Sequence, residues 1–322
     1  MGCACIAAVG PHSAPLPRVP SPLRVHLALL TVSALFGCHF VFTKRVLDAV
    51  PVDSWVLFRI AAATALLVPL ALWRRPPGPL PGARTLLLLL VASFLGVGLN
   101  QVLFSEGLVR TTPEHSAVVT AAIPTWTLLV AVAIGQERLR ARQVLAVLSA
   151  LLGVLYLLGV DRMLLGGEGG FGGETLVGDL LTAANGFAFA AHLVLMRRIG
   201  RDLDPWTTVA ILFAQGLLMI CLWSAPEVEA AHAVTTFTPP VLWFALYTIL
   251  GATVLTYVLN TWALRHTRSS SVALYINLQP LIAASLNCAL GAPAPGHRFF
   301  VALALVALGL WIQARGARTG PV

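Results

Sequence analysis

The sequence predicts an all-α membrane protein with ten transmembrane helices arranged as two inverted five-helix repeats. Three observations predict it. Hydrophobic residues make up 58% of the 322-residue chain and charged residues 11%, with a mean hydropathy of +0.85. Soluble domains carry about 25% charged residues, so this chain could not cover a water-facing surface and must keep much of it in lipid. The charge-poor stretches fall into runs close to the ~20 residues that cross the hydrocarbon of a bilayer. Landmarks from the first half also recur in the second, in the same order.

The runs lie near 25–43, 53–73, 85–109, 113–135, 141–160, 177–197, 205–224, 241–262, 270–291 and 297–315. The first ends on HFVFTKR (39–45), and the sixth ends on HLVLMRR (192–198), 153 residues later. The second contains Arg59 and closes on Trp73, matched by Trp223 closing the seventh. The third opens LLLLLV (86–91), without the alternation of a membrane barrel strand, and carries Asn100, Gln101 and Glu106. In the fourth, Pro124 and Gly135 have counterparts in Pro280 and Gly291 of the ninth. Gly153 in the fifth pairs with Gly309 in the tenth, and the junction Arg110-Thr111 pairs with His266-Thr267, all in one frame of 156 residues.

These matches divide the chain into a disordered cytoplasmic tail (1–24), a first repeat (25–160), an external linker (161–176), a second repeat (177–315) and a cytoplasmic tail (316–322). The stretch GGEGGFGGE (166–174) is glycine-rich and acidic, suited to a flexible external linker. Residues 1–22 hold five prolines and lack a basic leading region, so they read as a tail or a misplaced start rather than a signal peptide. Five spans per repeat is an odd number, so the second copy must run through the membrane upside down. Inverted repeats of this kind hold substrate near the midplane and expose it to each side in turn.

The net charge of +8 follows the same topology. With ten spans and a cytoplasmic N-terminus, Arg18, Arg24, Arg74, Arg75, Arg84, Arg138, Arg140, Arg142, Arg197, Arg198, Arg201, Arg265, Arg268, Arg315 and Arg318 fall inside. Lys44, Arg45, Arg110, Arg162 and Arg298 fall outside. This positive-inside bias places both termini in the cytoplasm and accounts for the basic balance without nucleic acid; the plasma membrane is the expected location. Cys38, Cys221 and Cys288 fall within spans, and the Cys3–Cys5 pair is too isolated for a metal site. No cofactor is implied.

Three segments resemble the EamA family of the drug/metabolite transporter superfamily. GCHFVFTK (37–44) is similar to its first-helix signature, AIPTWTLLVAVAIGQERL (122–139) to its fourth helix, and LRHTRSSSVALYINLQPLIAASLNCALG (264–291) to its ninth. The resemblance runs from 25 to 315 and implies ten helices, no cofactor, and carriage of a small polar metabolite, often an amino acid, usually outward. Two departures stand out. His39 occupies the position where the family usually has Asn, and GAPAPG (291–296) lacks the acid that usually closes the ninth helix.

Polar residues inside a span are costly and tend to face a cavity or a partner, which yields a short set of candidates. His39 and His192 are equivalent positions; each could line a cavity or bond a backbone carbonyl. Arg59 could receive a substrate carboxylate, pair with an acid, or snorkel toward Asp53, with the structural pair favoured. Lys44 carries the same ambiguity at its helix end. Gln101 and Glu106 lie along the third run, where Glu106 stands four residues before Arg110, the spacing of a surface ion pair. Pro124 and Pro280 each remove an interior backbone hydrogen bond, as in the broken helices that line transporter sites. Beside them, Trp126, Tyr275 and Gln279 complete the cavity candidates, whereas Asn185, Gln215 and Asn260 read as interhelical hydrogen-bonding groups.

The substrate would be a small molecule, with the proton as a candidate coupling ion and dimerisation open. No nucleotide-binding P-loop or HExxH pattern occurs in the sequence. Two rivals stand: an intramembrane enzyme using Glu106 and His39, which would form product without a gradient, and a non-transporting subunit, which would require a partner chain.

Overall fold

Proline-led starts and glycine stops set several of the helix ends. The computed structural model describes residues 22–74, 81–136, 140–157, 174–199, 203–224 and 238–317, and among these the regular structure is helical throughout. The first half comprises α1 (Pro22–Leu47), α2 (Val52–Arg74), α3 (Ala83–Ser93), α4 (Leu99–Arg110), α5 (Pro113–Thr120), α6 (Ile123–Ala133) and α7 (Ala141–Leu157). The second comprises α8 (Glu174–Ile199), α9 (Pro205–Ser224), α10 (Pro239–Ile249), α11 (Thr256–His266), α12 (Ser269–Leu274), α13 (Gln279–Ala289) and α14 (His297–Ala317). Pro113, Pro205 and Pro239 open their helices, where a missing N–H costs nothing. Thr112 caps α5 by accepting from the His115 amide, and Asp204 caps α9 by accepting from the Thr207 amide.

Each element of the first half has a counterpart seven helices later. The run Ala83–Arg110 answers to Pro239–His266, each 28 residues long. Both are interrupted by a π-helical stretch, Phe94–Gly98 in one and Leu250–Leu255 in the other, starting 156 residues apart. The ends of α6 and α13 match as closely. Gly135 and Gly291 take positive φ values of 74° and 93°, a conformation that favours glycine. Around them, Gln136 N–H donates to Ala131 O and Ala292 N–H to Asn287 O, the long bond of a Schellman cap in both halves.

Among the described residues, seven helices are long and apolar enough to cross a membrane: Leu23–Leu47, Val52–Arg74, Ala83–Arg110, His115–Ala133, Thr175–Ile199, Pro205–Ser224 and Pro239–His266. Ala141–Gly153 and His297–Gly309 are shorter apolar stretches. The run 270–291 is not a continuous helix: a 3₁₀ turn, Tyr275–Leu278, separates α12 from α13. The helical structure starts at Pro22, inside the stretch assigned to the tail, and α8 begins within the assigned linker at Glu174. Residues 1–21, 158–173 and 318–322, with most of both tails and the linker, lie outside the described residues.

The two halves interlock. α1 packs chiefly on α10, α11 and α13, and α8 chiefly on α4, α6 and α5, with α3 beside them. α2 lies against its counterpart α9, and α7 against α14. Close approach relies on small residues, as is usual between membrane helices. A Cβ on Gly107 would stand 2.9 Å from the Gly178 carbonyl oxygen, and one on Gly178 would stand 2.7 Å from that of Gly107, so α4 and α8 meet backbone to backbone. Trp55, Ile60, Leu67, Leu193 and Phe213 fill the interior, while Leu72, Trp73, Leu87, Leu152, Leu222 and Trp243 are exposed on an apolar exterior fitted to lipid.

Candidate functional site

The broken helices and the first helix of each half surround one cavity between the halves. It spans about 660 Å³ of space between its lining atoms, its open mouth included. α1, α2, α4, α5 and α6 line it from the first half; α8, α11, α12, α13 and the 3₁₀ turn line it from the second.

Both helix breaks fall beside it. The chain turns at Ala121–Ala122, just before Pro124, and again at Tyr275–Leu278, just before Pro280. Proline at the second position of α6 and of α13 explains why neither helix continues backward without interruption. Thr120 and Ile276, one turn before each proline, line the cavity.

Equivalent residues of the two halves meet across it. Phe36 and Phe189, 153 positions apart, place their rings edge to face with centroids 6.5 Å apart. Gln101 and Tyr257 are 156 positions apart, and the Gln101 amide donates to the Tyr257 hydroxyl at 3.2 Å. That hydroxyl donates to the Gly96 carbonyl inside the first π-helical stretch. The second stretch supports the cavity too: Thr253 Oγ1 accepts from Arg59 Nε at 2.8 Å and donates to Thr248 O at 2.8 Å. π-helical turns often mark functional sites.

Of the residues singled out in the sequence, His39, Arg59, Gln101, Tyr275 and Gln279 line the cavity. His39 is buried, stacks on Phe104 with centroids 5.0 Å apart and has Thr43 Oγ1 at 2.7 Å from its Nδ1. Arg59 neither snorkels nor pairs with Asp53; it is 1% exposed, and its Nη1 has no hydrogen-bond partner. The rotation of α2 turns it toward Thr253 of the opposite half, away from the helix end.

The others lie outside the cavity. His192 places Nδ1 2.8 Å from the Ala92 carbonyl oxygen and stacks on Phe189. Glu106 is ion-paired with Arg110, whose Nη1 also donates to the Glu106 carbonyl oxygen. Trp126 packs edge to face on Phe187. Lys44 Nζ donates to Leu108 O at 3.0 Å and Val109 O at 2.8 Å, while its counterpart Arg197 donates to Leu264 O at 2.6 Å. The basic residues of the repeated phrase thus cap the C-terminal carbonyls of α4 and α11, where cations are favoured.

Sequence reasoning missed Tyr257 and four cavity phenylalanines, and it read Asn185 and Asn260 only as interhelical groups. Asn185 does bond across helices, donating to Asn100 O at 2.8 Å, but both asparagines also line the cavity. The signal for Tyr257 was present in the repeat frame, which sets it opposite Gln101. Farther along α8, Asp179 is buried, accepts from Thr111 Oγ1 at 2.6 Å and has His115 Nδ1 at 3.2 Å. By the repeat frame its counterpart is His26, which is hydrogen-bonded to the Tyr275 hydroxyl.

The fold and the cavity define a class: a duplicated, all-helical membrane protein with a cavity between its halves. The EamA-like transporter family matches this chain twice, over residues 23–159 and 176–314, and the chain belongs to that family. It is 25% identical over 261 residues to an uncharacterized transporter of Archaeoglobus fulgidus, covering 81% of this chain and 87% of that protein. Uncharacterized transporter YyaM of Bacillus subtilis is 22% identical over 280 residues, covering 84% of this chain and 87% of its own length. A WAT1-related protein of Arabidopsis thaliana is 31% identical over 116 residues, 35% of this chain and 33% of that protein. A protein of known crystal structure superposes with a TM-score of 0.65 at 20% identity, covering 92% of this chain and 99% of that one, which shows the shared fold. The protein is a membrane transporter.

Proposed function

We propose that this transporter is a secondary carrier of a small polar metabolite, such as an amino acid, working by alternating access between two inverted repeats. The observation that carries the reading is the cavity between the halves, where equivalent residues meet: Phe36 with Phe189, and Gln101 with Tyr257. Contacts between such pairs are expected along a two-fold axis lying in the membrane plane. In this reading α1, α2, α3–α4, α5–α6 and α7 are the five spans of one repeat, and their counterparts are the five of the other. Both termini are cytoplasmic in a plasma membrane, and net flux is outward.

Two contact sets flank the ends of the pathway. At the outer end, α8 meets the α4–α5 junction through Asp179, Thr111 and His115. At the inner end, α1 meets the 3₁₀ turn through His26 and Tyr275. Opening one set while the other holds would expose the cavity to one side at a time. Such steps need only small rotations of packed helices about the breaks before Pro124 and Pro280.

Counterflow in proteoliposomes tests carriage without knowledge of the driving force. Liposomes loaded with an unlabelled amino acid, organic acid or polyamine should accumulate external tracer of one substrate class. Folded, reconstituted protein that accumulates none of them would overturn the reading. Product formed in detergent would favour an enzyme, and activity regained only with a second chain would favour a subunit.

A further inference from the structure

We propose that Arg59 makes the cavity selective for organic anions, specifically small molecules pairing one carboxylate, or a sulfonate of the same charge, with an aromatic or alkyl body. The inference rests on the carrier reading for its biological use, but the binding site itself stands on separate observations. Arg59 is 1% exposed, with Nε held by Thr253 at 2.8 Å and Nη1 buried without a partner. The described residues that line the cavity include no Asp or Glu. The ion pairs among the described residues, Glu106–Arg110 and His115–Asp179, both leave Arg59 out.

A guanidinium in this setting is costly. An arginine at the centre of a membrane helix costs about 2.5–3.5 kcal/mol on insertion scales, and an uncompensated buried charge costs more than a paired one. Among the described residues no protein group supplies the missing anion, so a ligand can. A carboxylate also matches the planar donor face of guanidinium. The body of such a ligand would lie among Phe36, Phe40, Phe104 and Phe189, which line the same space. The buried Gln101 Oε1 and Asn260 Oδ1 atoms, also without partners, are acceptors for an N–H or O–H donor on the ligand. An ammonium without a carboxylate would meet the arginine's charge and no acid.

The test is ligand-induced thermal stabilisation of the purified full chain, with four probes sharing one ring: phenylacetate, phenylalanine, phenylacetamide and phenethylamine. The two carboxylates should raise the unfolding midpoint at millimolar concentration, while the amide and the amine should not. Arg59→Gln should raise the half-saturating concentration for phenylacetate at least about tenfold, and Arg59→Lys should raise it less. If Arg59→Gln fails to fold, the order of the four probes on wild type and on Arg59→Lys decides the matter. Stabilisation by the amide or amine equal to that by phenylacetate would overturn the assignment. So would unchanged affinity in Arg59→Gln, or no stabilisation by any probe. Stabilisation through Arg59 without counterflow of any compound would instead remove the carrier reading and leave the anion site standing.

Discussion

His39 and His192 begin as one phrase written twice and end in different surroundings. His39 faces the cavity and stacks on Phe104, while His192 wedges beside α3, 2.8 Å from the Ala92 carbonyl oxygen. His192→Ala should therefore lower thermal stability by about 1–3 kcal/mol, the cost of orphaning a buried polar group, and leave KM for the carried substrate unchanged. His39→Ala should raise KM about tenfold, equivalent to 1.4 kcal/mol, in the same counterflow assay. If His192→Ala shifts KM and His39→Ala does not, the placement of the cavity is wrong. Polar residues in the middle of apolar runs were legible as a set, and Arg59, Gln101, Tyr275 and Gln279 joined His39 in one site. Which way each points depends on the rotation of its helix against neighbours, and apolar runs with little amphipathic bias do not encode that rotation. That is why Glu106 and Trp126 fell outside the cavity while Tyr257 went unnoticed.

At the scale of elements, the paired breaks before Pro124 and Pro280 were visible because proline removes a donor wherever it sits in a helix. The paired π-helical stretches were not, since Phe94–Gly98 and Leu250–Leu255 are as apolar as any neighbouring turn. A Cβ on Gly96 would overlap the His192 ring, so only glycine lets α8 approach there. Gly96→Ala should cost about 1–3 kcal/mol by overpacking and raise KM as well, because the Gly96 carbonyl holds the Tyr257 hydroxyl. The helix caps make a different prediction. Lys44→Ala and Arg197→Ala should each lower stability by about 0.3–1 kcal/mol, the worth of a cation at a helix C-terminus, with KM unchanged. Lys44→Arg should restore most of the loss; a KM change in Lys44→Ala would instead place Lys44 in the substrate pathway. Thermal unfolding in detergent and counterflow read both effects.

For the whole molecule, the duplicated order of apolar runs was legible from landmark offsets that stay between 150 and 156 residues, and the family model matches twice, over 23–159 and 176–314. The interlocking was not, because nothing in either half states that α1 packs chiefly on the other half's helices. In the proposed cycle, that arrangement lets movement between packed helices of the two halves change access to the cavity. Because Gly107 and Gly178 join the halves backbone to backbone, neither should fold alone. The most direct test bridges the proposed outer end. In a protein with its native cysteines replaced, Thr111→Cys and Asp179→Cys would be linked by a short reducible bis-thiol reagent, and counterflow measured before linking, after it and after reduction. The account predicts exchange abolished by the bridge and restored by reduction, with each single-cysteine variant indifferent to the reagent. Full exchange with the bridge in place would contradict alternating access through this end of the cavity.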